Sequence, residues 1–167
     1  LWFIQAAQTL QPTVFYDYIQ AFGFTQPTGI DLPSETRWTS VYNAQQMAEV
    51  DTNLYTAAFG QNEAITPMQM ATAIAAIANG GYLVTPYIVD SITDDAGNII
   101  SQTDTSVRRQ VISEEVSQEI LSMMENNVDP NGTLSIRHSC KNAYVAGYHI
   151  GGKSGTAERT DRHLRGD

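Results

Sequence analysis

The run His149-Ile150-Gly151-Gly152-Lys153-Ser154-Gly155-Thr156-Ala157-Glu158 concentrates the chemistry-bearing residues of this 167-residue chain. Drawn as a strand, it alternates faces with period two. The Ser154 and Thr156 hydroxyls then share one side, while Gly151 and Gly155 leave the other nearly bare. Two hydroxyls and the Lys153 ammonium on one sheet edge suit a carboxylate, because an anion leaving water needs several directed donors. A backbone N–H on the same strand can also meet a developing oxyanion, and bare glycine admits another backbone at close range. A second pattern overlaps the first: Gly147 through Ser154 fits Gly-x-x-x-x-Gly-Lys-Ser/Thr, the phosphate-cradling loop. That loop opens a helix, whereas here Gly155 follows the Lys-Ser pair and a polar, charged tail replaces the apolar helix. The strand reading is preferred.

Other reactive residues lie nearby. His138, Cys140 and His149 raise a Cys-His nucleophile pair, but no third orienting group or local signature accompanies them, and Cys140 reads as an ordinary thiol. One cysteine cannot form an internal disulfide, and three scattered histidines without Cys-x-x-Cys or His-x-x-x-His spacing leave no recognisable zinc site and no structural metal to expect. Asn131-Gly132-Thr133 matches the glycosylation pattern, which bears only on a secreted eukaryotic protein.

The elements that must position the run are legible upstream. Residues 1–10 and 13–22 read as two helices, the second with a core-facing stripe of Phe15, Tyr18, Ile19 and Phe22 that Gly23 ends. Residues 23–44 read as an ordered loop dense in turn formers. The best-defined helix runs from Pro67 to about Asn79, with Thr66 as N-cap, Pro67 in the first turn, Gln69 completing a capping box and Gly80-Gly81 as the stop. Its small, apolar body predicts burial on several faces. The β-rich runs Tyr82 to Thr93 and Ile99 to Thr103 flank a hairpin signal at residues 94–98. A further helix is predicted from Glu114 to about Val128, capped by Ser113, with an apolar face of Ile120, Leu121, Met124 and Val128. Residues 129–149 read as loop. The order implies a mixed α/β (α+β) domain with helices packed on an antiparallel sheet, and residues 150–158 as an edge-proximal strand.

Composition limits the partners. Nine basic and eighteen acidic residues give a net charge of -9, which leaves no phosphate-neutralising surface overall and disfavours nucleic acid. The charge is uneven: residues 1–136 hold three arginines against fifteen acids, and residues 137–167 hold six basic residues against three acids. A basic C-terminal segment on an acidic body suits an anionic ligand there, or is a solvated basic hairpin. The longest strictly apolar run, Ala73 to Ala78, falls far short of the ~20 residues of a membrane span. The ends, without an initiating Met or a terminating pattern, read as those of a fragment.

Lys153-Ser154-Gly155-Thr156 resembles the third active-site motif, Lys-Thr/Ser-Gly-Thr, of the penicillin-binding proteins, specifically the transpeptidase domain of the monofunctional class B type. The segment Thr28-Gly29-Ile30-Asp31-Leu32-Pro33-Ser34-Glu35 is similar to that family's Thr-Gly-Ile-Asp-Leu-Pro-Gly-Glu loop. Phe59-Gly60-Gln61, Ile65 to Ala71 and Ala78-Asn79-Gly80-Gly81 through Pro86 are similar to its buried helix and flanks. The resemblance runs nearly end to end, yet no Ser-x-x-Lys and no Ser-x-Asn occurs in the chain. It therefore implies a partial domain over residues 1–167, with the penicillin-binding/serine β-lactamase-like fold and the nucleophile upstream. The implied parent is a D-Ala-D-Ala transpeptidase that cross-links peptidoglycan stem peptides through a serine acyl-enzyme and is captured by β-lactam antibiotics. Lys153 is implied as catalytic, and Ser154, Gly155 and Thr156 as substrate-binding, without metal or cofactor. The remaining N-terminal part of the same protein is an implied partner. The implied location is the extracytoplasmic face of the bacterial cell membrane, with the anchor outside this chain. A serine β-lactamase, a β-lactam sensor and a non-catalytic cell-wall scaffold are the alternatives.

Overall fold

The structure is a computed structural model that describes residues 2–36, 40–132 and 140–155. The chain opens with α1 (Trp2–Ala21), which is two helical segments meeting at a kink where Gln11 leaves helical geometry (φ 68°) immediately before Pro12. Proline lacks the N–H that would continue the ladder, so the two helices read from the sequence meet without a loop. α2 (Ala44–Glu49) and α3 (Asp51–Ala58) follow and pack on α1. Ala7, Ile19, Met47, Leu54 and Ala57 form the core of this part, with Phe15, Tyr16 and Phe24 against it. Phe15 and Ile19 face inward as the stripe requires, whereas Tyr18 is exposed.

α4 (Pro67–Ala78) begins at the expected capping box: Thr66 Oγ1 accepts from the Gln69 N–H at 3.1 Å, and Gln69 Oε1 accepts from the Thr66 N–H at 2.9 Å. The other end of the Gln69 amide does more. Buried to 2% exposure, it donates to the carbonyls of Gly23, Phe24 and Gln26 and ties α4 to the turn after α1. Burial of α4 is one-sided among the described residues. Gln69, Thr72, Ala73 and Ala76 are buried, but Met70 and Ile74 are 43% and 46% exposed.

The strands are antiparallel and split into two ribbons: β1 (Tyr82–Val84) pairs with β4 (Val107–Gln110), and β2 (Ser91–Thr93) with β3 (Ile99–Gln102). The β2–β3 turn is the expected one, with Asp94 accepting from the N–H groups of Ala96 and Asn98. The Thr28–Glu35 loop is held by two carboxylates. Glu35 accepts from the Thr28 N–H and hydroxyl and from the Gly29 N–H at 2.6–2.9 Å, while Asp31 accepts from the N–H groups of Ile88 and Val89 at 2.8 Å each. The Val89 and Ile88 donors hold the Asp31 carboxyl below its ordinary range. At Glu35 burial pushes upward, but the Thr28 and Gly29 donors and the Arg108 charge outweigh it. Finally α5 (Glu114–Val128) starts where expected, with Ser113 Oγ accepting from the Val116 N–H.

Two predictions arise from this packing. Gly81 has φ +95°, and a Cβ there would lie 2.0 Å from the Ile112 carbonyl oxygen; at Gly97 (φ +85°) nothing among the described residues lies within 4 Å. Gly81→Ala should therefore cost about 2–5 kcal/mol by denaturant unfolding, and Gly97→Ala only the left-handed backbone penalty of about 1–2 kcal/mol. The second concerns Glu63, beside the Ser40–Ala64 bridge, whose Oε1 has no hydrogen-bond partner among the described residues. Burial pushes its carboxyl from the ordinary 4.5 to about 7. The folded form thus holds the proton more tightly than the unfolded form, and the contribution of Glu63 to stability is full below pH 4.5 and is lost as pH rises toward 7. Glu63→Gln should flatten that limb, raising Tm at pH 8 and leaving it unchanged at pH 4.

Candidate active-site segment

The Lys153 run approaches its position along α5. Asn127 and Val128, in the last turn of that helix, and Met124, one turn earlier, meet the backbone at Gly151 and Gly152. A Cβ on Gly151 would stand 3.0 Å from Met124 Cβ, and one on Gly152 3.1 Å from Val128 Cγ2. Neither glycine is left-handed, so closeness and not backbone freedom sets their type. The Gly152 N–H donates to the Met124 carbonyl at 3.0 Å, and Asn127 Nδ2 donates to the Gly152 carbonyl at 2.8 Å and to Cys140 Sγ at 3.3 Å.

This geometry corrects one expectation: residues 150–155 form no strand, and 156–158 lie outside the described residues. A strand needs a laddered neighbour, and here the Gly152 amide and carbonyl are both occupied by α5. The phosphate-loop alternative gains nothing, since Lys153 does not sit in a helix. Lys153 is exposed, and its Nζ donates to the Ser154 carbonyl at 2.6 Å. Ser154 and Gly155 are exposed beside it, and a Cβ on Gly155 would meet nothing within 4 Å among the described residues. Thr156 lies outside the described residues, as does His138. Of the two glycines of the bare face, Gly151 therefore meets Met124, and Gly155 meets no neighbour among the described residues.

The Cys-His pair does not assemble around Cys140 and His149 as a nucleophile and its base: Cys140 meets Asn127, whereas the His149 ring nitrogen Nδ1 lies 2.5 Å from Glu125 Oε1. A shallow cleft of about 310 Å³ opens beside this pair, lined by Glu125, Val128, Asp129, Tyr144, His149 and Ile150. Lys153 and Ser154 are not among its walls, so the cleft is distinct from the candidate site. Asn127 was invisible to sequence reasoning, because nothing in its local pattern marks a bond to a residue 25 positions away.

Residues 1–167 match the family model described as the penicillin binding protein transpeptidase domain. The chain belongs to that family. It is 36% identical over 161 residues to the stage V sporulation protein D of Bacillus subtilis, covering 94% of this chain and 23% of that protein. It is 30% identical over 169 residues to a peptidoglycan D,D-transpeptidase FtsI homolog of Mesostigma viride, covering 93% of this chain and 27% of that protein. Among solved structures, penicillin binding protein 3 of Mycobacterium tuberculosis complexed with ampicillin superposes with a TM-score of 0.83 at 28% identity, over 96% of this chain and 35% of that one. The chain thus spans about a quarter of the length of the curated relatives it matches. The resemblance to class B penicillin-binding proteins stands, and so does the mixed α+β fold with antiparallel strands and packed helices.

Proposed function

We propose that this chain supplies the third active-site motif of a peptidoglycan D,D-transpeptidase whose nucleophilic serine lies outside these 167 residues. The observation that carries the reading is an exposed Lys153-Ser154-Gly155 leaving a backbone clamped on α5, in a chain of this family. In the reaction, a serine hydroxyl attacks the penultimate D-Ala carbonyl of a stem peptide and the terminal D-Ala leaves with its amine reprotonated. The amine of a neighbouring peptide then takes the acyl group and restores the serine. Lys153 contributes positive potential and holds the hydrogen-bonded network of the other two motifs. The Ser154 and Thr156 hydroxyls donate to the terminal carboxylate, Gly155 leaves room for it, and the Thr156 N–H is one oxyanion donor. A β-lactam enters by the same carboxylate, and the ampicillin complex of the mycobacterial relative supports that substrate class. The basic balance of residues 137–167 suits this anionic ligand.

The named relatives favour a transpeptidase over a serine β-lactamase, a sensor or a scaffold. Peptidoglycan stem peptides and the rest of the same protein are the partners in this reading. Among the described residues no helix is long and apolar enough to cross a membrane. The proposed position is the extracytoplasmic face of the cell membrane, held by a segment outside this chain.

In the full-length protein carrying this chain, Thr156→Val keeps the shape and removes one donor to a charged group. Such a loss is typically worth ~1.5–3 kcal/mol, so acylation by labelled penicillin should slow roughly ten- to a hundredfold. Ser154→Ala should act in the same direction. Unchanged acylation in both single variants and in the double variant would remove the carboxylate role.

A further inference from the structure

We propose that Asn127 is a positioning residue for Lys153, acting through the peptide plane between Gly152 and Lys153. The proposal rests on the reading of Lys153 given above, and it adds a residue that carries no chemistry itself. The atoms of a peptide unit are coplanar, so fixing the Gly152 carbonyl also fixes the direction of the Lys153 N–H and the N–Cα bond that follows. Asn127 Nδ2 donates to that carbonyl at 2.8 Å. The other edge of Gly152 is held as well, its N–H donating to the Met124 carbonyl at 3.0 Å. Met124 and Asn127 are three apart on α5 and so share a face. Gly152 is gripped from both sides, as a residue in a sheet would be, by one helix.

Three features keep the Asn127 amide from swinging away. Its Nδ2 also reaches Cys140 Sγ at 3.3 Å, on the segment that leads into the run. The next residue, Val128, is buried, so the turn that presents Asn127 cannot rotate without exposing it. The absence of side chains at Gly151 and Gly152 lets the backbone come within contact of Met124 and Val128, which brings the Gly152 carbonyl into reach of a side chain as short as asparagine. Beyond Gly152 the described residues are exposed, and the clamp is the last fixed point before the ammonium and hydroxyl groups.

The test uses the full-length protein with Asn127→Leu, which keeps the approximate volume and loses the donor, Asn127→Asp, which replaces the donor by an acceptor, and Asn127→Gln, which keeps a donor. Three quantities are read: the second-order rate of acylation by fluorescent penicillin, amide exchange in peptides spanning 150–155 and 67–78, and Tm. The expected result is an acylation rate about tenfold lower for Leu and Asp, faster exchange confined to 150–155, an unchanged Tm, and a rate within about threefold of wild type for Gln. Acylation of Asn127→Leu at the wild-type rate would overturn the proposal. So would slowing that comes only with a lower Tm and faster exchange in 67–78, which is the mark of a merely structural residue. A wild-type protein that takes up no penicillin overturns the transpeptidase reading instead. In that case exchange alone decides whether Asn127 holds the segment: lost protection of 150–155 in Asn127→Leu supports the clamp, and unchanged protection refutes it.

Discussion

The carbonyl of Ile77 sits in the last turn of α4, where backbone oxygens have no partner within the helix. Two of its neighbours are satisfied locally, Ala75 by the Asn79 N–H and Ala76 by the Gly81 N–H. Ile77 is satisfied by the hydroxyl of Ser117 on α5 at 2.5 Å, and Ser117 has no exposed surface at all. The serine side chain is short, so its hydroxyl reaches another helix's backbone only if the two helices nearly touch. An unpaired carbonyl buried in this seam would cost on the order of 1–3 kcal/mol, so this one bond fixes the register of α5 on α4.

Both parts of the molecule are tied to this helix pair. At the start of α4 the Gln69 amide gathers the carbonyls of Gly23, Phe24 and Gln26, which anchors the helical part built on α1, α2 and α3. Behind the end of α4, Gly81 passes the Ile112 carbonyl too closely for any side chain and lets β1 meet β4. Arg109 on β4 reaches back to the carbonyls of Ala21 and Gln20 at the end of α1, closing the circuit. Its far end, α5, carries Met124, Asn127 and Val128 to the backbone that precedes Lys153. The position of the candidate site is thus set by a chain of contacts that starts in a helix bearing none of its chemistry.

Local signals predicted local structure well. Thr66, Pro67 and Gln69 mark the start of α4, Ser113 that of α5, and Asp94 to Asn98 the hairpin, because in each case the stabilising bond spans only a few residues. The same kind of signal stands at Asn43, where a capping box with Gln46 opens α2. That helix is too short to show a period, and it is held by Met47 in the core. β4, Val107-Arg108-Arg109-Gln110, has no apolar alternation to betray it, since its arginines bond to distant carbonyls. The residue types of the Lys153 run offer it as the place of the chemistry, but its described part is not the strand that its alternation predicts. Residue types report which groups are offered, but the partner of the Gly152 backbone is a helix 25 residues earlier.

In the proposed function, Lys153-Ser154-Gly155-Thr156 is a carboxylate-binding edge served by a nucleophile from elsewhere in the protein. The most direct measurement is a crystal structure of the full-length protein after reaction with benzylpenicillin. The expected result is an ester on a serine outside these 167 residues, with the β-lactam carboxylate hydrogen-bonded to the Ser154 and Thr156 hydroxyls and Lys153 beside it. An ester on any residue of this chain, or a carboxylate bound away from Ser154 and Thr156, would contradict it.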